Sequence, residues 1–226
     1  MKIKTEFPDA SDSLDYIEPQ GAVTDNYSSI FFISELKRVA FERVMIFNRP
    51  FSYLDLGCAG GQAVVDLYKL GHVACGVDGS DLDKMLNNSK DTIGYNWKTY
   101  KDVCLFKADI TKPFEFYDED EQLQKFDIIG AWDVMEHPGP ESVPGVIENV
   151  KKHMHSKSIF VAIINTIGLK ENKYHQCAKP KDWWVDIFEK HGMKNTDFDM
   201  RASPRQGPPY PPFNETDLAL MFKLKK

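Results

Sequence analysis

The sequence predicts an α/β protein built on a mostly parallel sheet with helices on both faces. Three observations carry this. Apolar, strand-like runs alternate with segments of helical periodicity. The run 158–164 is apolar on both faces, as a strand buried within a parallel sheet must be. Two strands follow one another at the carboxyl end without a helix between them. With 226 residues, 42% hydrophobic and 27% charged, the chain can close one sizeable core.

The elements follow in order. Residues 1–25 are polar, acidic and aperiodic. Ile30, Phe32, Ile33, Leu36, Val39, Ala40, Val44 and Phe47 then mark an amphipathic helix, with Asp25, Asn26 and Ser28 as candidate caps and Asn48-Arg49-Pro50 as its stop. A first strand over 52–56 runs into a glycine-rich turn, a helix over 62–70 with Gly71 as C-cap, and a second strand ending at Asp78. Ser80-Asp-Leu-Asp83 has the form of a capping box and opens a helix to about residue 88. A third strand over 103–108 stops at Asp109. The acidic run 117–121 is expected to be a solvated face.

A fourth strand over 126–131 leads into Trp132-Asp133. Val143, Val146, Ile147, Val150 and Met154 set the next helix, and 158–164 is the fifth strand. After a loop over 165–179, Pro180 suits a first helical turn, and Trp183, Trp184, Ile187 and Phe188 pack one face before His191-Gly192. Strands near 193–200 and over 217–224 flank a proline-rich loop, 201–216. A loop that long is expected to be functional or mobile, and Arg205, Tyr210 and Phe213 give it the side chains for an acceptor groove or an assembly contact.

The run Ser52-Tyr-Leu-Asp55-Leu-Gly57-Cys58-Ala59-Gly60-Gly61-Gln62 is the most informative stretch. Small residues at Gly57, Ala59 and Gly61 let a backbone approach a ligand closely, and the following helix is expected to aim free N–H groups into the turn. Asp78 follows Gly57 by about 20 residues, the separation at which an acid reaches ribose hydroxyls. This is a nucleoside-binding arrangement. The dinucleotide pattern would need a small residue at position 62, where glutamine stands.

With its small residues spaced that way after Asp55, the chain resembles the class I S-adenosylmethionine-dependent methyltransferases, whose motif reads acid-x-Gly-x-Gly-x-Gly; it departs at Ala59. The resemblance spans about residues 49–226, leaving 1–48 as an N-terminal extension and cap helix. It implies a doubly wound, Rossmann-like sheet of seven strands with the last one antiparallel. It also implies a cofactor, S-adenosylmethionine. Asp55, Gly57, Cys58, Ala59 and Gly61 would form the turn that meets its methionine part, Asp78 would meet the ribose, Asp109 with Ile110 would bracket the adenine, and Trp132 would line the wall toward the acceptor. Every one of these residues falls at the carboxyl end of an expected strand, where open α/β sheets bind ligands.

An activated methyl needs chiefly positioning and exclusion of water. An alcohol acceptor also needs a base to take its proton. His175, His137 and Asp133 are the candidates. His175 precedes Pro180-x-x-Trp183-Trp184, an order that resembles methyltransferases of surface polysaccharide and other glycan synthesis, so the expected acceptor is a sugar, a glycan or another small molecule. His72, His153, His155 and His191 are expected to cap helices or face solvent, and at least one of Trp183 and Trp184 to be core. No dense ligand cluster is visible, so a metal-free form is expected; a cation would have to draw on Asp133, Asn165 and nearby carboxylates.

The remaining features exclude other classes. The net charge of −6 leaves no footprint for nucleic acid. No apolar run approaches the ~18–20 residues of a membrane span, and the amino terminus lacks a signal-peptide core. A cytoplasmic protein with four reduced cysteines, Cys58, Cys75, Cys104 and Cys177, is expected. The rival readings are methylation of another small molecule at oxygen, nitrogen or carboxylate, a cofactor-binding regulator without turnover, and a nicotinamide oxidoreductase.

Overall fold

The computed structural model describes residues 1–18, 26–46, 49–88, 91–168, 172–204 and 217–225. Its elements are β1 (Lys2–Thr5), α1 (Leu14–Ile17), α2 (Ile30–Val39), β2 (Ser52–Leu56), α3 (Gln62–Lys69), β3 (Val73–Asp78), α4 (Leu82–Asn88), α5 (Asp91–Tyr100), β4 (Leu105–Lys107), β5 (Phe114–Tyr117), β6 (Phe126–Trp132), α6 (Val143–Lys152), β7 (Met154–Asn165), α7 (Lys181–Lys190), β8 (Met193–Thr196) and β9 (Asp217–Leu224). Seven strands form one sheet in the order β4-β3-β2-β6-β7-β9-β8. β2, β3, β4, β6 and β7 pair in parallel, and β9 alone runs antiparallel, inserted between β7 and β8. The expected doubly wound α/β sheet with an antiparallel last strand is therefore the one observed.

Alternation along the strands divides the core into two. Leu54, Leu56, Val77, Ile129 and Phe160 point to the face covered by α6 and α7, through Val146, Val150, Trp184 and Phe188. Tyr53, Ala74, Ile128 and Val161 point to the other face, under Phe32, Leu36 and Val39 of α2, Val64 and Leu67 of α3, and Ile93 and Trp97 of α5. Both faces being dry explains why β2 is buried along its whole length.

Several expectations need correction. The first long helix is capped by Ser29, whose hydroxyl accepts from Phe32 N–H (3.1 Å), not by Asn26 or Ser28; Asp25 lies outside the described residues. α2 stops at Val39 and widens into a π-helical turn, Ala40–Val44, which Met45 ends at φ +66°. Phe47 and Asn48 lie outside the described residues. Asp81, not Ser80, caps α4, its carboxylate accepting from Lys84 N–H (3.1 Å). Met154 opens β7 and does not close α6. The strand expected near 193–200 ends at Thr196, and Pro180 is the N-cap of α7, one place before its first turn.

Four elements were not foreseen: α1, α5, β1 and β5. α5 follows α4, and β1 pairs with β5 as a small antiparallel ribbon beside the main sheet. Of the proline-rich loop, 205–216 lie outside the described residues, Arg205, Tyr210 and Phe213 among them. The four cysteines are free and buried. No helix of the described residues is long and apolar enough to cross a membrane.

Candidate functional site

The glycine-rich turn begins where β2 ends, and its backbone is held mainly by its own neighbours. Gly57, Ala59 and Gly61 all have positive φ (+69°, +48° and +73°). Ala59 thus carries a Cβ where glycine is favoured, at a cost of about 1–2 kcal/mol. The turn is clamped from α5: Trp97 Nε1 donates to Ala59 O (2.8 Å), and Asn96 Nδ2 to Gly60 O (3.0 Å). Gly61 opens α3 in a position where a Cβ would come within 2.5 Å of Leu105.

Five of the six N–H groups of residues 57–62 are spent. Those of Gly57 and Cys58 go to Val77 O (2.9 and 3.0 Å), that of Gly61 to Cys58 O (2.8 Å), and that of Ala59 to Asp78 Oδ2 (2.9 Å). Asn26 takes Gln62 N–H (3.0 Å). Neighbouring loops therefore engage the first N–H of α3, that of Gln62, and most of those of the turn.

The turn does offer two buried acids. Asp78 is buried, and its other oxygen accepts from Ser80 N–H (2.8 Å). Asp55 is only 5% exposed, and its Oδ1 has no hydrogen-bond partner. Burial pushes its carboxyl up to about 8, opposed by the Tyr53 hydroxyl and assisted by Asp78. Folded-state Asp55 therefore keeps a proton that the unfolded chain has already lost above about pH 4. Its contribution to stability is present at low pH and is lost as pH rises toward 8. The unliganded chain should show a denaturation midpoint that falls between pH 5 and 8, and Asp55→Asn should flatten that slope.

Asp109 Oδ1 accepts from Thr111 N–H (2.8 Å) and Oγ1 (2.7 Å), which fixes the carboxylate beside buried Ile110. Trp132 donates from Nε1 to Tyr53 Oη (2.8 Å) and meets Phe32 edge to face, with centroids 5.1 Å apart. β6 then breaks at Asp133 (φ +53°), and a turn carries Glu136 and His137. His137 Nδ1 lies 2.5 Å from Asp15 Oδ2. Burial alone would lower the His137 pKa, but the Asp15 carboxylate holds it above its ordinary value. His175 comes from the loop after β7. Its Nδ1 is 2.9 Å from Ile167 O and so carries the proton, while Nε2 accepts from Asn172 Nδ2 (2.8 Å). Burial keeps this imidazole below its ordinary pKa and hence neutral at pH 7. The two rings are 5.2 Å apart.

One cavity of about 670 Å³ joins these parts. Asp55, Gly57, Cys58, Ala59, Asp78, Asp109, Ile110 and Trp132 line it, together with Asp133, His137 and His175; Gly61 lies outside the lining. Trp183 and Trp184 do not line it. Trp184 is fully buried core, and Trp183 packs beside it. Of the remaining histidines, His153 and His191 are the C-caps of α6 and α7, as expected, and His153 does not face solvent. It is wholly buried, accepts from Phe116 N–H at Nε2 (3.1 Å), and is pushed down to about 4 by burial.

Sequence reasoning missed the amino-terminal contribution. Ala10 N–H donates to Gly79 O (2.9 Å) and Asp109 N–H to Phe7 O (2.9 Å), so the first residues run across the ends of β3 and β4 and bring Asp15 and Tyr16 into the lining. It also missed Glu136, whose carboxylate is wholly buried.

The family model described as "Methyltransferase domain" matches residues 31–193. No curated protein matches. Among solved structures, the chain is similar to an S-adenosylmethionine-dependent methyltransferase from Clostridium acetobutylicum (TM-score 0.59, 13% identity, covering 86% of this chain and 91% of that one). It is similar also to the CcbJ methyltransferase of Streptomyces caelestis (0.58, 11%, 97% of each chain). A third is the Burkholderia thailandensis 1,6-didemethyltoxoflavin-N1-methyltransferase, solved with its acceptor and S-adenosylhomocysteine (0.52, 10%, 85% and 79%). At these identities the likeness is one of fold.

Proposed function

The chain belongs to the methyltransferase-domain family, and from that premise we propose that it uses S-adenosylmethionine to methylate a hydroxyl of a sugar, glycan or other small molecule. The observation that carries this is the charge of the turn. Most of its amides are satisfied within the protein, and Asp78 stands beside it with Asp55, whose buried carboxyl a cation would help to ionise, an environment that favours a cation over a pyrophosphate. S-adenosylmethionine, with its ammonium and sulfonium, fits. NAD does not.

Bound there, the cofactor supplies a methyl already activated on sulfur. The chain's own residues do the rest. Asp55 and the backbone of 57–59 would face the methionine end, Asp78 the ribose, and Asp109 with Ile110 the adenine. Trp132, held by Tyr53 and Phe32, would separate cofactor from acceptor. Residues 1–48 would act as a cap that excludes water, with Asp15 reaching His137. The lining also holds Asn165, Asn172, Glu141 and Asp133, a mixture of donors and acceptors suited to a polyhydroxyl acceptor. The acceptor's proton must leave where His175, His137 and Asp133 face the cavity.

Calorimetry with both cofactors, followed by transfer of labelled methyl to a panel of sugars, amines and carboxylates, tests the proposal. Micromolar binding of S-adenosylmethionine, at least 100-fold weaker binding of NAD, and label on hydroxyl acceptors are expected. Preference for NAD would overturn the cofactor, and label confined to amines or carboxylates would overturn the acceptor.

A further inference from the structure

We propose that Glu136, His137 and His175 bind a divalent cation of the first transition row in the cavity. One candidate ligand atom from each of the three lies within 4.8 Å of the others. The three line the same cavity, and sequence spacing hides the set, because His175 arrives from the far side of β7.

The independent observation is the carboxylate. Glu136 is 0% exposed. Its Oε1 accepts from Asn165 N–H (3.0 Å), which fixes the group, while Oε2 is buried with no hydrogen-bond partner. A buried carboxylate oxygen without a donor is costly, and proteins retain such groups where a ligand satisfies them. The carboxylate belongs to the cluster, so the ligand is one that both imidazoles can share.

The neighbours are those of a metal site. A ligating histidine usually donates its second ring nitrogen to a carboxylate or carbonyl, which fixes the ring and its tautomer. His137 has Nδ1 on Asp15 Oδ2 (2.5 Å), leaving Nε2 to ligate. His175 has Nδ1 on Ile167 O (2.9 Å), again leaving Nε2. The Asn172 amide now caps that second Nε2, so a cation would turn the amide aside. Two imidazoles and one carboxylate favour zinc, cobalt, manganese or iron(II) over magnesium or calcium. Three protein ligands leave an open position for a substrate oxygen.

The inference rests on the methyl-transfer reading and deepens it. A cation here would acidify the acceptor hydroxyl. The O–H bond breaks with its proton passing to Asp133, the oxygen's electron pair forms the bond to the methyl carbon, and the C–S pair returns to sulfur. Asp133 faces the same cavity and is the group left to receive the proton.

The test is titration of the EDTA-treated full chain with Zn²⁺ against a chromophoric chelator, with Co²⁺ absorption reporting the ligand set. One equivalent should bind, and Glu136→Gln, His137→Ala and His175→Ala should each weaken it at least 100-fold while circular dichroism shows a folded chain. Asp15→Ala, which removes only the support of His137, should weaken it 10- to 100-fold. No stoichiometric binding, or binding that all four variants keep, overturns the site. Binding of S-adenosylmethionine to the EDTA-treated wild type separates the two failures. If the cofactor binds and Zn²⁺ does not, the metal site alone is wrong; if the cofactor does not bind, the reading beneath it fails as well.

Discussion

Replacing Asp127 by alanine should lower the unfolding free energy by about 3–5 kcal/mol, the largest single loss expected in this chain. Asp127 sits at the start of β6, fully buried, at the end of the sheet opposite the cavity. Its carboxylate accepts from Arg49 Nη1 (3.0 Å) and Nη2 (2.8 Å), from Ser52 N–H (2.7 Å) and Oγ (2.9 Å), and lies 3.0 Å from His155 Nε2. It thereby ties the entry of β2 to the entries of β6 and β7. Burial alone would raise its pKa, but His155, Arg49 and Ser52 hold it well below the ordinary carboxylate range. A depressed native pKa means that the stabilisation is complete above about pH 4 and is lost as the pH falls below it. Denaturant midpoints should therefore show the alanine variant far less stable at pH 7 and the gap narrowing in acid. Because the network lies opposite the cavity, the folded variant should bind cofactor as the wild type does. A loss under about 1 kcal/mol at pH 7 would mean that the network is not closed in solution.

How far the sequence revealed this molecule depends on whether the signal is local. The parallel strands, the turn after β2 and the acids at strand ends were legible because period-2 burial and glycine-rich turns are written within a few residues. The β1–β5 ribbon left such a signal too: Phe114 and Phe116 alternate with Glu115 and Tyr117. The acidic run just beyond masked it. In α5 the positions Ile93, Trp97 and Tyr100 have helical spacing, but Gly94 interrupts the stretch. Missing α5 concealed the clamp on the turn, since Asn96 and Trp97 supply it.

His153 caps α6, as expected, but its burial was not foreseen. A residue at a helix end is usually wet, yet here the β5 ribbon closes over it, with Phe114 stacked on the ring at 5.1 Å. The mouth of the cavity was the least legible part. Asp15, Glu136, His137 and His175 come from three separate segments, and no spacing rule links them. The proline-rich stretch signalled importance through composition alone, and composition carries no geometry.

Asp78→Asn should weaken S-adenosylmethionine binding by about 100-fold, and no other single change in the turn should cost as much. The reasoning turns on what asparagine keeps and what it loses. It preserves size and one carbonyl oxygen, so the turn retains an acceptor for either Ala59 N–H or Ser80 N–H, which Asp78 now satisfies together. It loses the charge, and with it the strong form of the bonds proposed between Asp78 and the ribose hydroxyls. A charge-assisted hydrogen bond is worth about 1.5–3 kcal/mol, and each 1.4 kcal/mol is a factor of ten in affinity. The charge also acts on the ligand's cationic end, because Asp78 and Asp55 are close enough for one to raise the other's pKa. Removing Asp78's charge should therefore let Asp55 ionise more readily, and the residual binding of the variant should depend less on pH between 6 and 8 than that of the wild type. Calorimetry at three pH values measures both effects. Asp109→Asn, whose Oδ1 is engaged by Thr111 within its own loop, should cost less than tenfold and leave the pH dependence unchanged. Equal losses in the two variants would mean that the charge of the turn does not select the ligand.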